Sequence, residues 1–312
     1  MQKMNYLQPD NIWKSFGVIS DTDFIEKFVL KGKFHCLVPE KIVEDYKLVE
    51  RLLFYSYFHY PLLDEAFSKS TRIFEASVTL KLEVVGLKKK EGFESLHSKL
   101  KRLEKYCSKD LHQQWLEAKE WRNSFAHREA GVLMGIILIN ALKHNLNMIN
   151  SLFLEVSTIH EKENQHKMLL QQCEHLVNGL FILDDGNRKI LICSARPYTT
   201  GIMKNSSKSL WVFIPITGNK EINESSDLPN ALILTLEDLH ISENGLSAID
   251  SSTKQSISIT VTDKFENFEK LVSHNLRLNA LEVILPGISL EYIAKLKHSI
   301  TKEIASFLYE DW

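Results

Sequence analysis

Cysteine is scarce in this 312-residue chain: four residues, Cys36, Cys107, Cys173 and Cys193, none of them in a C-x-x-C pair. That spacing argues against a disulfide framework or a zinc site and for a reducing compartment. Net charge is almost absent as well, at −2, from 38 Lys and Arg against 40 Asp and Glu. With no global basic field, any contact with nucleic acid must be local. Long apolar runs are missing. The longest, from Val132 to Ile139, contains Gly135 and is followed by Asn140 and Lys143, far short of a bilayer span. Asp10, Trp13 and Lys14 stand where a signal peptide needs an apolar core. No low-complexity tract or fixed-period repeat occurs. A cytoplasmic protein with no membrane partner is the expectation. What is present is ordinary bulk: 44% hydrophobic and 25% charged residues, in a chain long enough for two cores.

Residues 1–38 read as irregular, with a short strand expected at Phe34–Val38. Pro39 suits the start of a helix, and Ile42, Tyr46, Val49, Leu52 and Leu53 follow at helical spacing until Pro61 breaks the run. From Ser70 to Val85 the pattern serves two periods. Val78, Leu80, Leu82 and Val84 alternate, while Ile73, Ala76, Leu80, Val84 and Leu87 share a helical face; the length favours helix. Gly86, Lys88-Lys89-Lys90 and Gly92 mark a loop. Leu96, Leu100, Leu103 and Cys107 give the next helix, and Leu111, Trp115, Ala118, Trp121 and Phe125 another. Between Gly131 and Leu154 apolar residues cover nearly every face, as in a helix at the centre of a bundle.

After Asn178 the period shortens. Phe181–Leu183, the turn Asp184-Asp185-Gly186-Asn187 and Lys189–Ala195 predict a hairpin, followed by strands near 210–216, 231–236 and 256–261. The stretch 218–230 reads as a polar loop, and Ile293, Leu296, Ile300, Ile304 and Phe307 line a closing helix. The expected fold class is α+β: a helical bundle over 39–178, then a sheet-containing domain with C-terminal helices over 179–312.

The stretch most informative about chemistry is Arg122-Asn123-Ser124-Phe125-Ala126-His127. Arg offers two parallel donors to a phosphate, and His exchanges a proton near neutral pH. Requiring Asn directly after the Arg brings the accidental rate of such a pair to about one in twenty. On one straight helix, five positions turn through roughly 500°, so Arg122 and His127 point about 140° apart. The two groups converge only if the helix breaks near Ser124, if Arg122 reaches round on its stem, or if a second subunit completes the site.

Arg122-Asn123 followed by His127, in a compact helical domain, resembles the HEPN superfamily, whose diagnostic element is Arg, a polar residue, then His after a gap of four to six. The resemblance covers about residues 40–155. It implies a bundle of four or five helices that pairs into a symmetric dimer, and a metal-independent endoribonuclease with no cofactor. In that scheme Arg122 holds the scissile phosphate, His127 assists proton transfer and Asn123 orients the pair. Attack by the ribose 2′-hydroxyl leaves a cyclic phosphate and a free 5′-hydroxyl. Toxin or antiviral roles, with an inhibitory or antitoxin-like protein partner, belong to the same expectation.

Other positions carry weaker signals. From Lys88 to Glu129 eleven Lys and Arg face seven Asp and Glu. Lys88, Lys89 and Lys90 are candidates for RNA backbone, though a solvated loop is the commoner use of such a run. Glu75, in an apolar helix, is a candidate brace for Arg122 or one half of a surface ion pair. Trp115 and Trp121 fit the apolar stripe better than a base-stacking role. Cys107 and His112 lack the second pair that a metal site needs. The alternatives to a nuclease are a non-catalytic RNA- or nucleotide-binding module, or an interaction protein that uses the same surface as a dimer interface.

Overall fold

The computed structural model describes residues 7–87, 92–126, 135–201, 207–216 and 227–312. They divide into two compact units, residues 1–159 with Trp312, and residues 160–311. The sequence pattern sets the boundary at 178/179, where the first strand begins. The contacts set it at 159/160, so residues 160–178, expected in the helical bundle, group with the strands.

Among the described residues the regular elements of the first unit are all helices. It comprises α1 (Ile12–Ser15), α2 (Asp21–Phe28), α3 (Glu40–Tyr55), α4 (Leu62–Val84), α5 (Leu96–Leu103), α6 (Lys109–Ala126) and α7 (Leu138–Phe153). Caps set several starts: the Ser20 hydroxyl accepts the Asp23 amide at 3.1 Å, and the Ser95 hydroxyl accepts that of Ser98 at 3.2 Å. Pro61 immediately precedes α4, which runs unbroken through the ambiguous stretch. The expected strand at 34–38 is absent: these residues turn into α3, and His35 and Lys33 spend their polar groups on Asn150 of α7. The N-terminal segment is less irregular than expected, because Trp13, Phe24, Phe28 and Tyr60 cluster at ring distances of 4.6–5.1 Å from the indole.

α7 is the buried centre, covered from Asn145 to Phe153 without interruption. Several of its polar residues are matched by partners on other helices. Asn145 donates to the Ser70 hydroxyl at 2.5 Å, and Ser151 accepts the Trp115 indole N–H at 2.8 Å. Trp115 is therefore a core residue.

The second unit contains most of α8 (Val156–Gln172), then α9 (Glu174–Val177) and six strands: β1 (Phe181–Asp184), β2 (Lys189–Thr200), β3 (Ser209–Pro215), β4 (Leu232–Ser242), β5 (Gly245–Asp250) and β6 (Ser256–Val261). Two helices follow, α10 (Phe265–Ile284) and α11 (Ile288–Asp311). Here the expected sheet-containing domain needs correction. Each strand pairs antiparallel with the next, and β1 pairs with β6, so the sheet is a closed barrel; α+β holds for the whole chain, an open sheet does not. Closure follows from what the strands enclose. Phe181, Leu183, Ile192, Trp211, Phe213 and Leu236 project inward at period two and fill the lumen, and Leu176 of α9 joins the same core. An open six-stranded sheet would leave two edges of unpaired backbone, which closure removes. The first hairpin turns as expected: the Asp184 carboxylate accepts the Gly186 amide at 3.0 Å, and Gly186 has φ +81°.

Candidate functional site

α6 is helical without a break from Lys109 to Ala126, so no kink at Ser124 redirects Arg122. The structure describes α6 only to Ala126, so a departure from the helix at His127, the long reach of Arg122 and a second subunit all remain open. His127, together with Lys88, Lys89 and Lys90, lies outside the described residues.

Arg122 and Asn123 sit near the C-terminal end of α6, and Arg122 meets Glu75 of α4. Its Nη2 donates to Glu75 Oε2 at 3.2 Å, and its Nη1 leans on Asn123 Oδ1 at 3.4 Å. Asn123 in turn reaches Glu120, whose carboxyl is held below its usual value mainly by Lys119, with Asn123 contributing. Both Arg122 and Glu75 remain about a third exposed. The other oxygen of Glu75 faces Lys99 of α5 at 3.9 Å, and Lys99 also donates to the Thr79 hydroxyl at 3.1 Å. One carboxylate shared by two cations leaves the trio with a net charge of about +1, the sign an anion requires.

A cleft of about 240 Å³ beside this trio is lined by Glu75, Glu83 and Glu94 together with Lys99 and Arg102, so its carboxylates outnumber its cations. Arg102 is paired there with Glu94 at 2.8 Å. Lys99 and Arg102 were not singled out from the sequence. Their signal was present in part: Leu96, Leu100 and Leu103 turn one face of α5 inward and leave these cations on another. That this other face meets α4 beside Glu75 is a tertiary fact.

Other titratable groups of the helical unit are set by burial. The His144 imidazole is held below its ordinary pKa by desolvation, against a weaker opposing pull from Glu117. Burial also lowers Lys81, a little offset by Cys107. Cys107 and His112 do not form a pair; the thiol leans on the carbonyls of Leu103 and Glu104, and His112 Nε2 donates to the Leu100 carbonyl at 3.2 Å. Among the described residues no group of three or more His, Cys, Asp or Glu is gathered as a metal would need, and no helix is long and apolar enough to cross a membrane.

The arrangement thus defines a helical unit with a small, partly exposed cluster of charged side chains on α4, α5 and α6, within which Arg122, Lys99 and Glu75 form the positive part. Comparison with family models, with curated proteins and with solved structures returns no match to this chain.

Proposed function

We propose that the chain is a metal-independent endoribonuclease of HEPN type, acting in the cytoplasm as a homodimer and needing no cofactor. The observation that supports the reading best is the setting of Arg122. It stands beside Asn123 near the end of a continuous helix, steadied by Glu75, in a trio that keeps a net positive charge. A steadied guanidinium loses less freedom when a phosphate arrives.

In the proposed reaction Arg122 neutralises the non-bridging oxygens of the scissile phosphate. The ribose 2′-oxygen bonds to phosphorus as its proton passes to His127. The bond from phosphorus to the 5′-oxygen breaks, and that oxygen takes up a proton. Products end in a 2′,3′-cyclic phosphate and a 5′-hydroxyl. An unregulated activity of this kind would harm its own cell, which is why a toxin or antiviral effector with an inhibitory protein partner fits the chemistry.

The test is cleavage of mixed single-stranded RNA in EDTA, with end-group chemistry on the fragments. The intact chain is expected to yield cyclic-phosphate ends, and His127→Ala and Arg122→Ala to yield none. Undiminished cutting by His127→Ala would overturn the proposal.

One observation favours a second reading. Glu75 already occupies one edge of the guanidinium, as in an ion pair that serves only an interface. On that reading Arg122→Ala shifts the monomer–dimer equilibrium, and the intact chain neither binds nor cuts RNA.

A further inference from the structure

α10 is apolar on two opposite sides. Over 20 residues, about 30 Å, it turns His274 and Leu281 inward, where both are buried. At roughly 100° per residue, Phe265, Val272, Leu276 and Val283 fall within about 40° of one line on the reverse side, with Phe268 and Ala280 about 60° to either side of it. These residues are open: Phe265 is 72% exposed, Phe268 55%, Leu276 64% and Val283 82%. Scattered exposed leucines are normal on a protein surface; an apolar stripe about five turns long, interrupted by Glu269 and Asn279, is not. Phe265, Phe268, Val272 and Leu276 line a shallow groove, with Glu269 and Arg277 also along it.

We propose that this face is the docking surface for a second copy of the chain, whose own α10 lies antiparallel against it across a two-fold axis. The sequence of the helix is self-complementary in that register. An axis at the level of His274 sets Phe265 opposite Val283 and Val272 opposite Leu276. The Phe265 ring then meets a smaller side chain, as interdigitated packing requires.

Charge points the same way. Glu269 and Arg277 lie on one flank of α10, and an antiparallel two-fold brings like flanks together. Glu269 of one copy then comes within about 3 Å, along the axis, of Arg277 of the other, twice per dimer. A parallel pair would instead set Glu269 level with Glu269 and Phe265 level with Phe265.

The area is sufficient. The two phenylalanines expose on the order of 250 Å², and with the aliphatic residues the stripe amounts to about 600 Å² per copy. Complete cover of both stripes buries about 1,200 Å², the lower bound for a specific, stable interface. The surface belongs to the barrel unit, so the inference does not depend on the Arg122 site.

Sedimentation velocity on the full chain tests it. The intact protein is expected to associate at micromolar concentration. Phe268→Asp or Leu276→Asp should raise the dissociation constant at least about thirtyfold and halve the assembled mass, whether dimer to monomer or, if the bundle also pairs, tetramer to dimer. Circular dichroism should be unchanged, since both positions are exposed. Glu269→Arg and Arg277→Glu should each weaken association, and the double reversal should restore it. A monomeric intact chain overturns the proposal, and so does an unaltered mass after Leu276→Asp. A double reversal weaker than either single change overturns the antiparallel register. A monomer that binds lipid vesicles through α10 would give the face to a membrane surface instead.

Discussion

Arg122 is held by one carboxylate and one amide, both near the surface, which separates its contribution to stability from its proposed contribution to cleavage. An ion pair about a third exposed is worth at most about 1 kcal/mol after screening and side-chain entropy. Arg122→Ala and Glu75→Gln are therefore expected to lower unfolding free energy by less than about 1 kcal/mol, read from urea midpoints. Loss of RNA cleavage in Arg122→Ala at such a small stability cost would mark a functional side chain. A loss of several kcal/mol would instead make Arg122 a structural residue. The sequence shows Arg122, Asn123 and Glu75 as candidates because their residue types carry the chemistry. It does not show that Glu75 divides its two oxygens between Arg122 and Lys99, since those contacts span 47 and 24 residues of chain.

Among the elements, the helices from α3 to α7 were legible, while α1, α2 and several strands were less so. α3, α5 and α6 repeat apolar residues every three or four positions, a pattern with one reading. α4 offered two, and its length decided for helix. β4 runs to Ser242, past the expected end at 236, because its polar second half pairs with β5 across a bulge at Glu237–His240, where Asp238 has φ +54°. β5, Gly-Leu-Ser-Ala-Ile-Asp, was not foreseen. Its residues have little strand propensity, and its neighbours β4 and β6 on either side make it a strand. Gly245 opens it with φ +151°, and a β-carbon there would collide with the Ile259 carbonyl of β6. Gly245→Ala is expected to cost about 2 kcal/mol or more, through both the clash and the backbone conformation. Thermal denaturation followed in the far ultraviolet checks this; an unchanged midpoint would mean that β5 and β6 can separate there freely.

At the scale of the whole molecule, stability should depend on pH through buried histidines. His35, His144, His166 and His274 are all held below the ordinary imidazole pKa, each chiefly by burial. His35 shows why. Its Nε2 donates to the Asn150 carbonyl and its Nδ1 accepts the Leu37 amide, a set that only the neutral ring satisfies. A folded pKa below the unfolded value means that the unfolded chain binds more protons as pH falls through about 6.5. Stability is then full above that value and declines toward acid, until pH passes below the folded pKa values. The melting temperature is expected to fall between pH 7.5 and 5.5, in the helical unit through His35 and His144 and in the barrel unit through His166 and His274. His35→Gln should flatten part of this slope; an equal slope in that variant would remove His35 from the account.

By itself the sequence determined what local periodicity and residue chemistry can encode. The helices from α3 to α7, the change of period after Asn178, the first hairpin with its glycine turn, and Arg122-Asn123 as the place to look all belong there. Barrel closure, the grouping of residues 160–178 with the strands, the sharing of Glu75 between Arg122 and Lys99, and the outward apolar stripe of α10 were decided only by the tertiary structure. The physical reason is common to all four. A strand pattern is the same at an open edge as in a closed barrel, and an apolar face is the same whether the chain covers it or leaves it bare. Which of these occurs depends on partners many residues away, and spacing along the chain carries no record of them.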